Sequence, residues 1–328
     1  MKRIALGLLA ATALTFSAHA EPAIVYDLGG KFDKSFNEAA YTGAEKFKEE
    51  TGTGYREFEI QNDAQREQAL RKFAEDGNSP IVVAGFSFAQ AVDTVSKEFP
   101  DTKFAIIDMV VEQPNVRSVV FKEQEGSYLA GIMAAKASES GTVGFVGGMG
   151  IPLISRFACG YKGGVMAANA DANVIENMTG DTPAAWNDPV KGGEITKAQI
   201  AQGADVVYHA AGGTGVGVIQ AAADAGKLAI GVDSNQNGLQ PGKVLTSMMK
   251  RVDVAVYNAF VDGSEGGTWT TGFNVLGLAE GGVDLAMDDN NKPLVTDEMM
   301  KAVEEAKAMI ISGDVVVHDY MSDESCPY

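Results

Sequence analysis

Carboxylate, amide and aromatic side chains follow the apolar runs of this sequence at several points. The first run, AIVYDLG, contains Asp27, and Phe36 and Asn37 stand in the polar stretch after it. Asp108 and Asp233 each close a later apolar run. Aromatic faces stack on flat rings, and carboxylates accept hydrogen bonds from neighbouring hydroxyls. These residue types therefore favour a binding site for a neutral, planar, hydroxyl-rich ligand.

The second half of the chain supplies four further candidates, which are Trp186, Gly212, Gly213 and Lys250. The two glycines open the segment GGTGVG, which lacks the Lys-Ser/Thr pair of a P-loop. A tight turn that lets bare backbone approach a ligand is therefore a better interpretation than phosphate binding. Lys250 ends the apolar run KVLTSMMK, where a fixed charge would bond to ring nitrogens, carbonyls or hydroxyls. A solvated lysine explains the same position equally well.

Phe36 and its neighbours have two interpretations. Asp33 and Ser35 are residue types that cap helix N-termini, and capping alone explains Ser35 as well as a ligand contact does. An aromatic residue at a helix start often packs against the core. A phenylalanine surrounded by polar residues is, in contrast, typical of a binding cleft.

The candidates need a scaffold that brings distant parts of the chain together. Short β-branched runs alternate with longer amphipathic stretches, and the alternation begins again in the second half. Such alternation predicts βαβ units and parallel sheets. In open α/β sheets ligands bind at the carboxyl ends of the strands, where the candidates lie. We therefore predict an α/β fold with two doubly wound halves.

The first twenty residues have the pattern of a secretory signal peptide. Lys2 and Arg3 precede an apolar run at 4–16, and Ala-His-Ala follows at 18–20. The run is too short for a permanent membrane anchor, and no cysteine follows it to carry a lipid. We expect a periplasmic protein that begins near residue 21, without a lipid anchor.

The charge of the chain excludes some partners. Without Lys2 and Arg3 the 26 basic residues become 24, against 44 acidic ones. This excess of negative charge repels phosphate backbones and anionic lipid, so nucleic acid and membrane surfaces are poor partners. The charge does not exclude small neutral or cationic ligands.

The two cysteines, Cys159 and Cys326, predict one disulfide in an oxidising compartment. Two unpaired cysteines are the alternative.

Signals for catalysis or for a cofactor are weak. The two histidines after the signal segment, His209 and His318, stand in no metal-binding spacing, and no G-x-S-x-G motif occurs. We therefore predict neither an enzyme nor a bound cofactor or metal.

Five stretches of the sequence resemble the basic membrane protein family, which comprises periplasmic substrate-binding components of ABC transporters and is typified by purine nucleoside receptors. They are DKSFNEAAYTGAEKF at 33–47, FKEQEGSYLAG at 121–131, GADVVYHAAGGTGVGVIQAA at 203–222, IGVDSNQ at 230–236 and TSMMKRVD at 246–253. The resemblance covers essentially the whole chain after residue 20.

The resemblance implies the type I periplasmic binding protein fold, in which two Rossmann-like lobes joined by three crossovers enclose a ligand cleft. We expect one lobe at 21–121 plus about 249–272, and the other at 122–248 plus about 273–328. The family implies capture of a purine nucleoside or base by a monomer, which delivers it to the permease subunits of an ABC importer.

The resemblance also implies roles for single residues. Phe36 and Trp186 would clamp the purine ring between the lobes, although many family members carry Phe at the second position. Asp27 and Asn37 would bind the base edge. The ribose side would contact Asp108, Asp233 and Lys250, and Gly212 or Gly213 would present backbone.

Three alternatives stay open. Riboflavin or another aromatic solute would suit the same residue types. A sensory protein that signals to a membrane receptor would bind the same ligands without supporting uptake, and a nucleoside-processing enzyme would need a general acid or base near the glycosidic bond.

Overall fold

A computed structural model describes residues 20–328. The predicted signal peptide, apart from residue 20, lies outside the described residues. In the described part, no helix is long and apolar enough to cross a membrane.

The strands and helices alternate along most of the chain. The strands are β1 (Ala23–Tyr26), β2 (Arg56–Glu59), β3 (Ile81–Ala84), β4 (Phe104–Ile107), β5 (Val116–Phe121), β6 (Thr142–Met149), β7 (Asn173–Gly180), β8 (Val206–Ala210), β9 (Leu228–Asp233), β10 (Val244–Lys250), β11 (Gly272–Leu276) and β12 (Val283–Leu285). The helices are α1 (Phe36–Thr51), α2 (Gln65–Glu75), α3 (Ala89–Glu98), α4 (Glu123–Ala137), α5 (Pro152–Ala168), α6 (Pro189–Ala201), α7 (Gly215–Asp224), α8 (Val252–Gly263) and α9 (Asp297–Ser312).

Two six-stranded sheets carry the fold, and their strand orders correspond. The first sheet has the order β11-β5-β4-β3-β1-β2, and the second has the order β12-β10-β9-β8-β6-β7. Neighbouring strands are parallel, except that β12 runs antiparallel to β10. The predicted α/β fold with two Rossmann-like lobes is confirmed.

The central strands are buried on both faces because helices cover both sides of each sheet. Every residue of β1, β3 and β4 is buried, which explains their continuous runs of Ile, Val and Ala. The edge strand β2 is exposed along its whole length. Its REFE sequence accordingly has three charged residues and one aromatic residue.

Helices α4 and α5 pack closely through glycines. An added side chain at Gly131 of α4 would meet the carbonyl of Tyr161, and one at Gly164 of α5 would meet the carbonyl of Tyr128. Such close approach is open only to residues without a Cβ atom. The two helices therefore form a tightly packed pair beside the second sheet.

The chain passes between the sheets at three places. We propose that these crossovers lie near 122, near 251 and at 277–282, because each falls between elements of different sheets. The sequence placed the later boundaries at about 249 and 272. Strand β10, however, continues to Lys250 in the second sheet, and β11 adds Gly272–Leu276 to the first. A local pattern does not show which sheet a short strand joins.

The structure joins Cys159 of α5 to Cys326 by a disulfide, with their Cα atoms 5.6 Å apart. The linked residues are 167 positions apart in the chain.

Candidate functional site

A cleft of about 630 Å³ lies between the two lobes, measured out to where it opens to solvent. Its walls come from the carboxyl ends of strands in both sheets and from the starts of the helices that follow. Eight of the nine predicted ligand-binding residues line it, and these are Asp27, Phe36, Asn37, Asp108, Trp186, Gly212, Asp233 and Lys250. Gly213 does not line the cleft, but lies beside it, close to the Trp186 carbonyl and to Asp33.

Lys250 occupies the floor of the cleft and is almost fully buried. Its Nζ lies 2.6 Å from Asp108 Oδ2 and 3.0 Å from Glu123 Oε1. Burial lowers the pKa of Lys250, but the nearby carboxylates of Asp108, Glu123 and Asp233 outweigh this effect and raise the pKa above its usual value. The lysine is thus a permanent cation in a buried ion-pair group, and the alternative of a solvated lysine does not describe it.

Asp108, directly after β4, and Asp233, the last residue of β9, share an uncommon backbone conformation. Asp108 has φ 69° and Asp233 has φ 63°, which is the left-handed region that aspartate tolerates better than most residues. Burial raises the pKa of each carboxyl to about 6, although Lys250 opposes the rise. Asp108 Oδ1 is buried without a hydrogen-bond partner, so one acceptor remains for a ligand.

Helix α1 begins at Phe36, and Asp33 supplies its cap. The Asp33 carboxylate accepts hydrogen bonds from the backbone N–H groups of Asn37 and Glu38 at 3.0 and 3.1 Å. Ser35 makes no capping bond with its side chain. Its hydroxyl instead lies 2.5 Å from Asp233 Oδ2 in the other lobe. Capping therefore explains Asp33 and does not explain Ser35.

Two further hydrogen bonds join the lobes at the start of α1. Ser234 Oγ donates to the Ser35 carbonyl at 2.8 Å, and Gln236 Nε2 donates to the Lys34 carbonyl at 2.8 Å. His209 lies 2.9 Å from Gln236 Oε1, and burial lowers the pKa of this histidine to about 4. Because Gln236 Oε1 accepts from this neutral ring and from Val232 N–H, its amide nitrogen is aimed at the first lobe. The two lobes are therefore hydrogen-bonded to each other beside the cleft.

Asp27 and Asn37 form the end of the cleft in the first lobe. Asp27 pairs with Arg66 at 2.8 Å and also accepts from the Ser87 hydroxyl, so its charge is already compensated within the lobe. Asn37 Nδ2 donates to the carbonyls of Asp27 and Gly30, both at 3.2 Å. These bonds fix the orientation of the amide, and its Oδ1 is left buried without a partner. The cleft thus has an oriented, unused acceptor at this end.

Aromatic side chains from both lobes line the same cleft. Phe36 comes from the first lobe, and Trp186 comes from a short 3-10 turn, Pro183–Trp186, in the second. The Trp186 ring packs against Gly148 so closely that no Cβ atom would fit there. The Lys250 ammonium lies 5.3 Å from the Phe36 ring centroid. The cleft thus combines aromatic side chains from both lobes with a buried cation.

Sequence reasoning missed part of the wall. Leu153, Ile154 and Phe157 of α5 line the cleft, and Glu123 lies beneath Lys250. The three α5 residues share one helix face by their spacing, which a sequence pattern shows, but only the packing decides which face meets the cleft. Among residues 20–328 no cluster of three His, Cys, Asp or Glu side chains suited to a metal ion is found.

Comparisons with known proteins find relatives over most of the chain. A family model described as ABC transporter substrate-binding protein PnrA-like (Bmp) matches residues 21–319. The ABC transporter nucleoside-binding protein BmpA of Lactococcus lactis is 35% identical over 318 residues, which cover 90% of this chain and 88% of that protein. An uncharacterized lipoprotein of Pyrococcus furiosus is 36% identical over 276 residues, which cover 80% and 68% of the two chains.

A solved structure of a solute-binding protein has a similar fold. The solute-binding protein of an ABC transporter system from Aeropyrum pernix superposes with a TM-score of 0.81 at 29% identity, over 91% of this chain and 93% of that chain. The matching family consists of transporter substrate-binding proteins and not of enzymes, so the expectation of a protein without catalysis is confirmed. With a family model matched over nearly the whole described chain, this protein belongs to the Bmp family of PnrA-like ABC transporter substrate-binding proteins.

Proposed function

We propose that the protein captures a purine nucleoside in the periplasm and delivers it to the permease subunits of an ABC importer. The observation that carries this proposal is one closed cleft with Phe36 from one lobe, Trp186 from the other, and buried carboxylates on its floor. A purine offers two flat faces, and a ribose offers neighbouring hydroxyl donors. The printed name of the Lactococcus lactis relative, a nucleoside-binding protein, supports the same class of ligand.

The base occupies the aromatic part of the cleft in this proposal. Phe36 and Trp186 stack on its two faces, and stacking of a base on an aromatic side chain contributes about 1–3 kcal/mol in nucleic-acid binders. The unpartnered Asn37 Oδ1 accepts a hydrogen bond from the base edge, and Asp27 keeps the amide in place through its carbonyl. Gly212, at φ 56°, brings backbone next to Trp186.

The sugar lies over the charged floor. Its hydroxyls donate to Asp108 and Asp233, and Lys250 donates to a sugar oxygen. Asp108, Glu123 and Asp233 place three carboxylates around one ammonium, so the floor attracts donor groups more than acceptors. This balance favours a hydroxyl-rich neutral ligand over an anionic one such as a nucleotide.

Binding acts by shifting the population of closed molecules. The ligand contacts residues of both lobes only when they are together, so it stabilises the closed form by its differential contacts. The closed form then presents the surface that the permease recognises. No bond of the ligand is made or broken.

The ligand is identified by mass spectrometry of denatured, freshly purified protein, followed by titration calorimetry. The panel is adenosine, guanosine, inosine, adenine and riboflavin. We expect a co-purified purine, or sub-micromolar binding of at least one nucleoside. Binding of riboflavin alone would show that the ligand is an aromatic solute other than a purine. No binding of any of the five compounds would reject the proposal.

Transport is tested separately from binding. Cells that lack the gene should lose uptake of the labelled nucleoside, and the intact gene should restore it. Unchanged uptake with intact binding would favour a sensory protein.

A further inference from the structure

The C-terminal segment, residues 317–328, lies along one face of helix α5. Three α5 residues at spacings of three and four contact it: Arg156 pairs with Asp319, Cys159 is bonded to Cys326, and Gly163 lies against the ring of Tyr328. Residues at i, i+3 and i+7 share a helix face, so the segment runs along the helix for two turns. It is attached by an ion pair, a covalent bond and a ring contact.

The neighbouring face of α5 is the wall of the ligand cleft. Leu153, Ile154 and Phe157 line the cleft, and Phe157 directly follows Arg156 in the chain. The ring centroid of Phe157 lies 5.5 Å from Lys250 Nζ. Helix α5 therefore contacts the C-terminal segment on one face and the cleft on the neighbouring face.

A chain of alternating charges makes the same connection. Arg156 holds Asp319 with both arms of its guanidinium, Nε at 2.8 Å and Nη2 at 2.9 Å. Its Nη1 donates to Glu123 Oε2 at 3.0 Å and to the Phe121 carbonyl at 2.9 Å. Glu123 Oε1 in turn lies 3.0 Å from Lys250 Nζ.

This charge chain runs from a partly exposed outer end to a buried inner end. The side chain of Asp319 is 35% exposed and that of Arg156 is 13% exposed, whereas Glu123 and Lys250 are 1% and 2% exposed. Buried charges are tolerated only when they are paired with good geometry. Glu123 has two cations to share, and its position between them depends on how firmly Arg156 is held. Asp319 is the carboxylate that fixes Arg156 from the outer side.

We propose that Asp319 is a positioning residue of the ligand site, which acts through Arg156 and Glu123 to set the place of the Lys250 ammonium. The C-terminal segment thus contributes to ligand binding although it does not line the cleft. The expected effect on ligand rests on the proposed function, since it is the sugar that lies over Lys250.

Two substitutions of Asp319 separate charge from local structure. Asp319 also caps the 3-10 turn that follows, where its Oδ1 accepts from Met321 N–H at 3.0 Å. Asp319→Asn keeps a capping acceptor and removes the charge, whereas Asp319→Glu keeps the charge and moves the acceptor. A merely structural role would make Glu the worse replacement, and a positioning role would make Asn the worse one.

Calorimetry with a nucleoside and with its free base is the first measurement. We expect Asp319→Asn to weaken nucleoside binding about tenfold, a change of about 1.4 kcal/mol, and to leave base binding within about twofold. Asp319→Glu should bind the nucleoside within about threefold of the unchanged protein. Glu298→Gln is the matched control, because Glu298 pairs with Lys136 at 2.8 Å in the same lobe and outside the cleft. Equal losses for nucleoside and base, or no loss with Asp319→Asn, would overturn the proposal.

A second measurement needs no ligand. A buried ammonium exchanges its protons slowly enough to give a nitrogen NMR signal, and Lys250→Met assigns that signal to Lys250. We expect Asp319→Asn to shift the signal and speed its proton exchange at least about threefold, and Glu298→Gln to leave it unchanged. An unmoved signal would overturn the proposal. If no nucleoside binds the unchanged protein, the proposed function fails and this measurement alone decides.

Discussion

Strands β4 and β9 hold the third position in their sheets, and each is followed or ended by an aspartate at positive φ. Both carboxylates face a donor from the opposite lobe. Asp108 of the first lobe takes the Lys250 ammonium, whereas Asp233 of the second lobe takes the hydroxyl of Ser35. The two carboxylates thus occupy equivalent places in the fold, but Asp108 has a charged partner and Asp233 has a neutral one.

The aromatic walls are less equivalent than the aspartates. Phe36 starts α1, the helix after β1, but the corresponding helix after β6 starts with Pro152 and Leu153. The second lobe takes Trp186 from the connection between β7 and α6 instead. Corresponding strands therefore fix where polar groups can stand, while the connections decide which apolar surfaces meet the ligand.

Loss of the charged partner should have the largest effect. Lys250→Met leaves Asp108 buried without its cation and Glu123 with Arg156 alone, and breaking a buried pair typically costs about 3–5 kcal/mol of unfolding free energy. We expect this loss in chemical denaturation and no detectable nucleoside binding in calorimetry. Lys243→Met, directly before the same strand, is the control and should change neither quantity. A loss below about 1 kcal/mol would show that the pair behaves like a surface ion pair.

Removal of either aromatic wall comes next. Phe36→Ala and Trp186→Ala should each weaken purine binding at least about tenfold, because each removes one stacking face. Trp186→Phe keeps a flat ring and should stay within about threefold of the unchanged protein.

Phe273→Ala is the control for the aromatic walls, since Phe273 is exposed on β11 outside the cleft. Unchanged affinity in both alanine variants would contradict the clamp. A loss in only one would show that the lobes contribute unequally to stacking.

The two aspartates should make binding depend on pH. Burial raises the pKa of each carboxyl to about 6, and in the proposed binding mode each accepts hydrogen bonds from the ligand when ionised, so we expect affinity to fall as the pH drops below 6. At pH 5 each carboxyl that must lose its proton lowers affinity about tenfold relative to neutral pH. Calorimetry at pH 7.5, 6 and 5 measures the slope, and Asp233→Asn should make it shallower.

The stability of the ligand-free protein should depend on pH in the opposite direction. A carboxyl whose pKa is raised in the folded state gains protons on folding, so these two groups alone favour folding more as the pH falls from 6 toward 4. Affinity that is flat between pH 7.5 and 5 would show that the ligand does not need both ionised carboxylates.

Loss of the neutral partner should have the smallest effect. Ser35→Ala removes one hydrogen bond across the lobes, and such a bond contributes about 1 kcal/mol, or a few-fold in affinity. Small-angle scattering should show more open molecules without ligand, while the unfolding free energy stays nearly constant. Ser312→Ala, on an exposed helix end, is the control. An effect as large as that of Lys250→Met would contradict the difference drawn between the two aspartates.

The sequence was sufficient to place most cleft residues at strand ends. Apolar runs fix the strands, and parallel strands bring their carboxyl ends to one edge, so Asp27, Asp108 and Asp233 could be assigned from local pattern. Lys250 was open to a solvated interpretation, because a strand end shows nothing of the charges that face it across 142 residues of chain.

Long-range partners explain the other shortfalls. Ser35 has the residue type and the position of a helix cap, yet its hydroxyl is used by Asp233, 198 residues away. The amphipathic pattern of α5 shows that Phe157 is buried but not that it meets a cleft. Strands β11 and β12 are short, and their sheets are set by the crossovers and not by their own composition.

The bond between Cys159 and Cys326 also makes the molecule simple to label. The sequence has two cysteines and both are in this disulfide, so an introduced cysteine would be the single free thiol. Phe32, in the connection after β1 of the first lobe, is 59% exposed, and Val190, in the first turn of α6 in the second lobe, is 72% exposed. A thiol-reactive dye at either position would give an optical sensor of closure without protection of native thiols.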